Sequence, residues 1–310
     1  MDRPLLLIDT DPGVDDALAI LMAHAHAEVA GLTVTAGNVG LPHTVRNALK
    51  LTEALGVDTP VFAGAAGPLV RAAADAAFVH GRDGFGDTGY RAPVRRASDE
   101  PAALALLRLS HAHAGRLTLV AIGPLTNLAL ALRLDPTLPA RIERLVVMGG
   151  AVTGRGNTHL VPAEFNIGFD PESAHVVFAG FPRFDLVDWE ATVRHAFDFE
   201  RFERWMAAAD PRARFYAAIS RKVRAFNRAR GRPGVLAADA LAMAVALASD
   251  IVTRAEERHV AVELDGGLTR GATVVDWERR LGAPANARIV LEVDQQRFET
   301  MVRAALGADG

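Results

Sequence analysis

Four carboxylates fall within eight residues in Asp9-Thr10-Asp11-Pro12-Gly13-Val14-Asp15-Asp16. They stand directly behind the apolar run Leu5 to Ile8 and directly ahead of a helix-patterned segment carrying Leu18, Leu21 and Met22. The apolar run reads as a buried strand and Pro12-Gly13 as the turn that ends it. Asp15 and Asp16 then open a helix, where exposed N–H groups and the helix dipole favour negative charge. One or two acids there are ordinary caps. Four converging on one strand-to-helix turn repel one another, and a bound hard divalent cation with oxygen ligands, Ca²⁺ or Mg²⁺ in character, relieves that repulsion; caps with a solvated turn are the plainer alternative.

The rest of the chain alternates apolar strand-like runs with helical patterns. Gly31 to Ala36, Leu117 to Ile122, Leu145 to Met148 and Phe184 to Val187 read as strands. Val14 to Ala27, Thr44 to Leu55, Leu125 to Leu134, Pro171 to Ala179 and Ala238 to Ala248 read as helices. This rhythm predicts an α/β fold, an open, mostly parallel twisted sheet with helices on both faces. Residues 259–264, 271–277 and 287–294 read as three closely spaced strands, an antiparallel extension before a final helix. No repeat or linker divides the 310 residues, so one domain over 1–310 is expected.

Composition narrows the function. A net charge of −3 gives no reason to expect nucleic acid or an anionic membrane as partner, which leaves small molecules. The absence of cysteine excludes disulfides, thiolate metal sites and a cysteine nucleophile. A strand entered within four residues leaves no room for a signal peptide, and no apolar run is long enough to span a bilayer; a cytoplasmic protein is expected.

Two glycine-rich segments, Gly64 to Pro93 and Gly149 to Asn166, resist regular assignment, and structureless stretches of that length are commonly functional. Like the acidic turn, both follow predicted strands, so all three can meet beyond the carboxyl edge of the sheet. Asp9 and Asp11 alternate onto the same side of an extended strand and are expected to share a site at its end. Asn157, Glu164 and Asn166 sit in a loop without periodicity and supply the donors and acceptors that sugar hydroxyls require, or serve only to keep the loop soluble. Asp239, alone in the apolar stretch from Gly234 to Val245, needs a partner, a metal or a half-solvated helix cap. His80 lies in a flap-like segment, His80-Gly81-Arg82-Asp83-Gly84-Phe85-Gly86-Asp87. The pairs His24/His26 and His111/His113 point to different sides of a helix and make poor metal pairs. The basic run Arg212 to Arg232 reads as a solvated helix face or as a border of the site.

These residues together resemble the inosine-uridine preferring nucleoside hydrolases. The resemblance is carried by Asp9-Thr10-Asp11-Pro12-Gly13-Val14-Asp15-Asp16-Ala17, Ile122-Gly123-Pro124-Leu125-Thr126-Asn127, Met148-Gly149-Gly150, Ala163-Glu164-Phe165-Asn166 with Asp170-Pro171-Glu172, and Asp239-Ala240-Leu241-Ala242. It spans almost the whole chain. It implies a Ca²⁺-dependent enzyme that cleaves ribonucleosides to free base and ribose, with Asp11, Asp16, the carbonyl of Ile122 and Asp239 as metal ligands and Asp11 also as the base that activates a metal-bound water. It further implies that Asp15, Asn38, Asn157, Glu164 and Asn166 hold the ribose hydroxyls and that Met148 lines the sugar pocket. A homodimer or homotetramer is also implied.

One position departs from the family pattern. The histidine that precedes the last metal-binding aspartate in better-known branches, where it protonates the leaving base, is Ala238 here. His80, Arg82, or Glu190 with Trp189 are the residues expected to supply a donor or a stacking surface instead, with a lean toward purine nucleosides. Two rival functions remain at this level. A phosphatase-like enzyme also suits an Asp-x-Asp strand end, but no Lys or Arg neighbours the motif. A protein that keeps the metal and ribose pocket without turnover is the other.

Overall fold

A computed structural model describes residues 3–308. Its main sheet contains β1 (Leu5–Thr10), β2 (Glu28–Val34), β3 (Val61–Ala63), β4 (Leu117–Ala121), β5 (Ile142–Met148), β6 (Phe184–Val187), β7 (Val252–Arg258) and β10 (Ala287–Val293). Two short strands, β8 (Val260–Val262) and β9 (Thr273–Val275), form a separate antiparallel ribbon. The strand order is β3-β2-β1-β4-β5-β6-β10-β7, parallel throughout except for β7, which runs antiparallel to β10 at the edge.

The uninterrupted apolar run in β1 is explained by burial on both faces. Leu6 and Ile8 join one core with the helices Val14–His26, Ala238–Leu247 and Gln295–Leu306. Leu5 and Leu7 point into a second core with the helices Ala102–Ala112, Thr126–Leu134 and Pro171–Gly180. A strand covered on both sides has no solvent-facing side to carry polar residues, hence no alternation over Leu5 to Ile8.

The expected α/β class is the one found, but the C-terminal arrangement differs in detail from the sequence reading. The strand at 287–293 joins the main sheet in parallel with β6, and the strands at 260–262 and 273–275 pair only with each other. The antiparallel edge is instead Val252–Arg258, a segment outside the three expected strands. Its residues Thr253, Arg254 and Glu257 are exposed, so this edge strand lacks the apolar signal of its buried neighbours. Charged edges of this kind also discourage pairing with another sheet.

Strand order reverses between β1 and β4: the chain leaves β1 toward β2 and β3, then returns to the other side of β1. Ligands in open α/β sheets lie outside the carboxyl ends of the strands at such a switch point. Asp11, Ile122 and Trp189 follow the ends of β1, β4 and β6 there, and Met148 ends β5.

Candidate active site

The helix Val14–His26 begins almost as soon as β1 ends, and that short turn is what crowds the acids. Asp16 is wholly buried and each of its oxygens is held: Oδ1 accepts Thr10 Oγ1 at 2.5 Å and the Asp11 N–H at 3.2 Å, while Oδ2 accepts the Gly13 N–H at 2.9 Å and Asn38 Nδ2 at 3.0 Å. Asp11 Oδ2 accepts the Asn38 N–H at 2.6 Å, and its Oδ1 is buried with no partner. Two glycines allow backbone to close around this carboxylate. A Cβ at Gly37 would lie 2.1 Å from Asp11 Oδ2, and one at Gly123 would lie 2.7 Å from Oδ1.

Asp239 enters from the first turn of the helix Ala238–Leu247. One oxygen from each of Asp15, Asp16 and Asp239 falls within 4.8 Å of the others, and a buried oxygen of Asp15, Oδ1, has no hydrogen-bond partner. Burial first, and then the mutual repulsion of these acids, pushes the Asp11 and Asp239 carboxyls well above the ordinary carboxylate range. Desolvation raises Asp15, which is partly open to the cavity, to about 6. Among the described residues no Lys or Arg forms an ion pair with Asp11, Asp16 or Asp239. Buried carboxylates with orphaned oxygens and no basic partner are a donor set suited to a hard divalent cation. Ile122 lines the cavity beside Asp15 and Asp239, and its carbonyl accepts Asn166 Nδ2 at 3.0 Å. This close cluster includes Asp15, which the family resemblance put on the sugar, beside Asp16 and Asp239.

A cavity of about 410 Å³ opens from the carboxylates and is lined by Asp15, Asn38, His80, Ile122, Met148, Asn157, Glu164, Asn166 and Asp239. Residues far apart in sequence and expected to act together therefore share one wall. Glu164 is buried as the N-cap of the short helix Phe165–Phe169; Oε1 accepts the Asn166 N–H at 3.0 Å, and Oε2 accepts the N–H groups of Gly150 at 3.0 Å and Ile167 at 3.2 Å. Burial outweighs these bonds and lifts its carboxyl to about 7. Asn157 presents a buried Oδ1 with no partner. Asn166 Nδ2 also reaches the Met148 carbonyl and Sδ, each at 3.3 Å, which ties the methionine to that part of the wall. Asn38 is less free than expected, because its Nδ2 donates to Asp16 Oδ2 and to the Asp11 carbonyl, at 3.2 Å.

Asp9 does not join Asp11. Its Oδ1 accepts Thr33 Oγ1 at 2.7 Å and Asn127 Nδ2 at 2.9 Å, inside the sheet. β1 ends at Thr10, so the period of two that aligned the two acids no longer applies at Asp11.

Of the residues expected to serve the base, His80 and Trp189 line the cavity. His80 Nδ1 accepts the Val14 N–H at 3.2 Å and stands 3.9 Å from Asp15 Oδ1; burial lowers its pKa to about 4, so the ring is neutral at pH 7. Glu190 is turned to the neighbouring loop, accepting Thr153 N–H at 2.8 Å and Thr153 Oγ1 at 2.6 Å, and exposed Arg82 is absent from the wall. The basic run does border the site. The helix Pro211–Ala229 and the turn after it supply Val223, Phe226, Asn227, Arg230 and Arg232 to the wall. Asn227 was not singled out from sequence; only its recession among charged neighbours marks it, and that is visible in three dimensions alone.

Comparison with known proteins gives a consistent picture. The family described as "Inosine-uridine preferring nucleoside hydrolase" matches residues 6–300. The non-specific ribonucleoside hydrolase RihC of Salmonella enteritidis PT4 is 38% identical over 303 residues, covering 96% of this chain and 95% of the relative. An inosine-guanosine nucleoside hydrolase superimposes with a TM-score of 0.91 at 32% identity, covering 98% of this chain and 99% of the other. A purine-preferring ribonucleoside hydrolase from Gardnerella vaginalis gives 0.89 at 30% identity, over 99% of this chain and 100% of the other.

Proposed function

Because this chain belongs to the inosine-uridine preferring nucleoside hydrolase family, and is thereby an N-glycosyl hydrolase, we propose that it is a Ca²⁺-dependent ribonucleoside hydrolase with a purine preference. The observation that carries the reading is the joining of two half-sites in one cavity. Asp15 and Asp239 line its floor with Asp16 directly behind them, orphaned oxygens lie on Asp11 and Asp15, and the polar groups of Asn157, Glu164 and Asn166 stand on its wall.

The donor set suits a hard divalent cation such as calcium: Asp16 and Asp239 would hold it together with Asp11 and the Ile122 carbonyl, and Asp15, which clusters with Asp16 and Asp239, would share in binding it or face the sugar. When bound, the ion neutralises the acids and acidifies water. Asp11 has the free oxygen required of a general base, Oδ1, and its other oxygen is anchored by Asn38, so the carboxylate is aimed before substrate arrives. Cleavage builds positive charge on the ribosyl ring. The carboxylates of Asp15 and Glu164 stabilise that charge, and Asn157 and Asn166 orient the hydroxyls. Trp189 and Phe226 offer aromatic surface to the base, and two of the structural relatives are named for purine nucleosides, which supports the purine lean.

The test is release of base and ribose from a nucleoside panel by metal-stripped protein before and after Ca²⁺ is added. Restored turnover, strongest on inosine and guanosine, is expected. Activity indifferent to chelation would remove the metal from the mechanism. No helix among the described residues is long and apolar enough to cross a membrane, and a cytoplasmic homodimer or homotetramer belongs to the same proposal, with sedimentation as its check.

A further inference from the structure

The far end of the cavity has the opposite charge from its floor. Arg232 is half-buried, its guanidinium lies 5.3 Å from the centroid of the Trp189 ring, and no carboxylate among the described residues pairs with it. Arg230 stands similarly on the Phe226 ring at 5.1 Å. Beside them Asn227 is only 5% exposed, yet its Nδ2 has no hydrogen-bond partner and its side-chain amide bonds to nothing in the protein. A buried amide without partners costs free energy, about 1–3 kcal/mol for one unsatisfied group, so this amide is matched to a polar ligand. Position 238, on the same wall, carries no proton donor; of the cavity's two histidines, His80 accepts the Val14 N–H at Nδ1 and so keeps its own N–H at Nε2, and His159 is exposed.

A guanidinium remains charged and does not deliver a proton at neutral pH, but it stabilises an anion beside it. Resting on the hydrolase reading above, we infer that Arg232, steadied on Trp189 and flanked by the Asn227 amide, stabilises the departing base as an anion, which selects nucleosides of oxo-substituted bases over adenosine. The C1′–N bond breaks with its electron pair moving to the base nitrogen and on to a conjugated carbonyl oxygen facing Arg232. Water forms the new C1′–O bond and loses one proton to Asp11. The free base anion takes its proton from solvent on release. Hypoxanthine, guanine and uracil have such a carbonyl; adenine has none. Asn227 offers a donor and an acceptor to the adjoining base edge, the pairing that an amide makes with a base.

The experiment measures kcat for Ca²⁺-loaded wild type, Arg232→Met, Arg232→Gln, Arg232→Lys and His159→Ala on inosine, adenosine and p-nitrophenyl riboside, whose leaving group departs readily without help. Wild type is expected to prefer inosine to adenosine. Arg232→Met and Arg232→Gln are expected to lose about 100-fold on inosine and less than about 3-fold on p-nitrophenyl riboside, as for removal of one preorganised charge-stabilising donor. Arg232→Lys recovers at least part of the inosine loss, because the charge is kept. Equal losses on both substrates in both neutral variants, no loss, or the same selective loss in His159→Ala would overturn the inference. Wild-type turnover of p-nitrophenyl riboside without turnover of inosine would overturn it while leaving the hydrolase reading standing, whereas inactivity on all three substrates would remove the hydrolase reading itself.

Discussion

The two ends of the cavity are built differently. At the floor, Asp16 receives four hydrogen bonds, Glu164 receives three from backbone amides, and Asn38 ties Asp11 to Asp16. At the far end, Arg230 and Arg232 rest on aromatic rings, and the Asn227 amide is unengaged. The floor is preorganised by contacts on strand ends and helix starts, where a misplacement of an ångström matters for chemistry. The far end leaves its polar groups for the ligand. On the proposed function, reaction type is set by one end, and the choice of base is set by the other.

The largest break between the ends is expected from Asp11→Ala, which removes the base without disturbing Arg232. kcat should fall on the order of 10³-fold on every substrate, with inosine and p-nitrophenyl riboside affected alike, read by steady-state kinetics. Glu164→Gln comes next. It keeps the size of the side chain but removes its charge and sets an amide N–H against a backbone donor, and a fall in kcat/KM of about 10-fold, independent of the base, is expected. Asn227→Ala acts at the other end. A loss of about 10-fold in kcat/KM on inosine with little change on p-nitrophenyl riboside is expected, since one base-edge pair is worth roughly 1–3 kcal/mol.

Metal removal sharpens the contrast in stability. Calcium at a hundred times its Kd should stabilise the fold by about 2.7 kcal/mol, read as a rise in Tm. Without metal, burial holds Asp9 and Glu164 at about 7 and Asp15 at about 6, all above their ordinary values. The folded protein therefore binds protons that the unfolded chain has released. That contribution is complete below about pH 4 and is lost as pH rises through 6 to 7. The metal-free Tm should fall between pH 5 and pH 8, and added calcium should flatten the decline.

The floor was far more legible in the sequence than the far end, for physical reasons. Acids packed into a strand-to-helix turn, and a lone Asp239 in an apolar helix, violate the normal costs of burial and so announce a site. Asn227 and Arg232 violate nothing locally. They sit in or after an amphipathic basic helix, where charge is ordinary, and only the packing of that helix across the cavity gives them a role. The sheet shows the same asymmetry. The buried run at 184–187 was read with its observed bounds, while the exposed edge strand Val252–Arg258 left no apolar trace. The direction of the strand at 287–293 is not written in its apolar pattern, because parallel and antiparallel partners bury the same residues.

The most direct measurement is simultaneous quantification of free base and ribose from inosine by the purified protein, metal-stripped and then restored with calcium. Equimolar base and ribose, absent with chelator and restored by Ca²⁺, is the predicted result. Inosine binding without release of either product at saturating calcium would contradict the account.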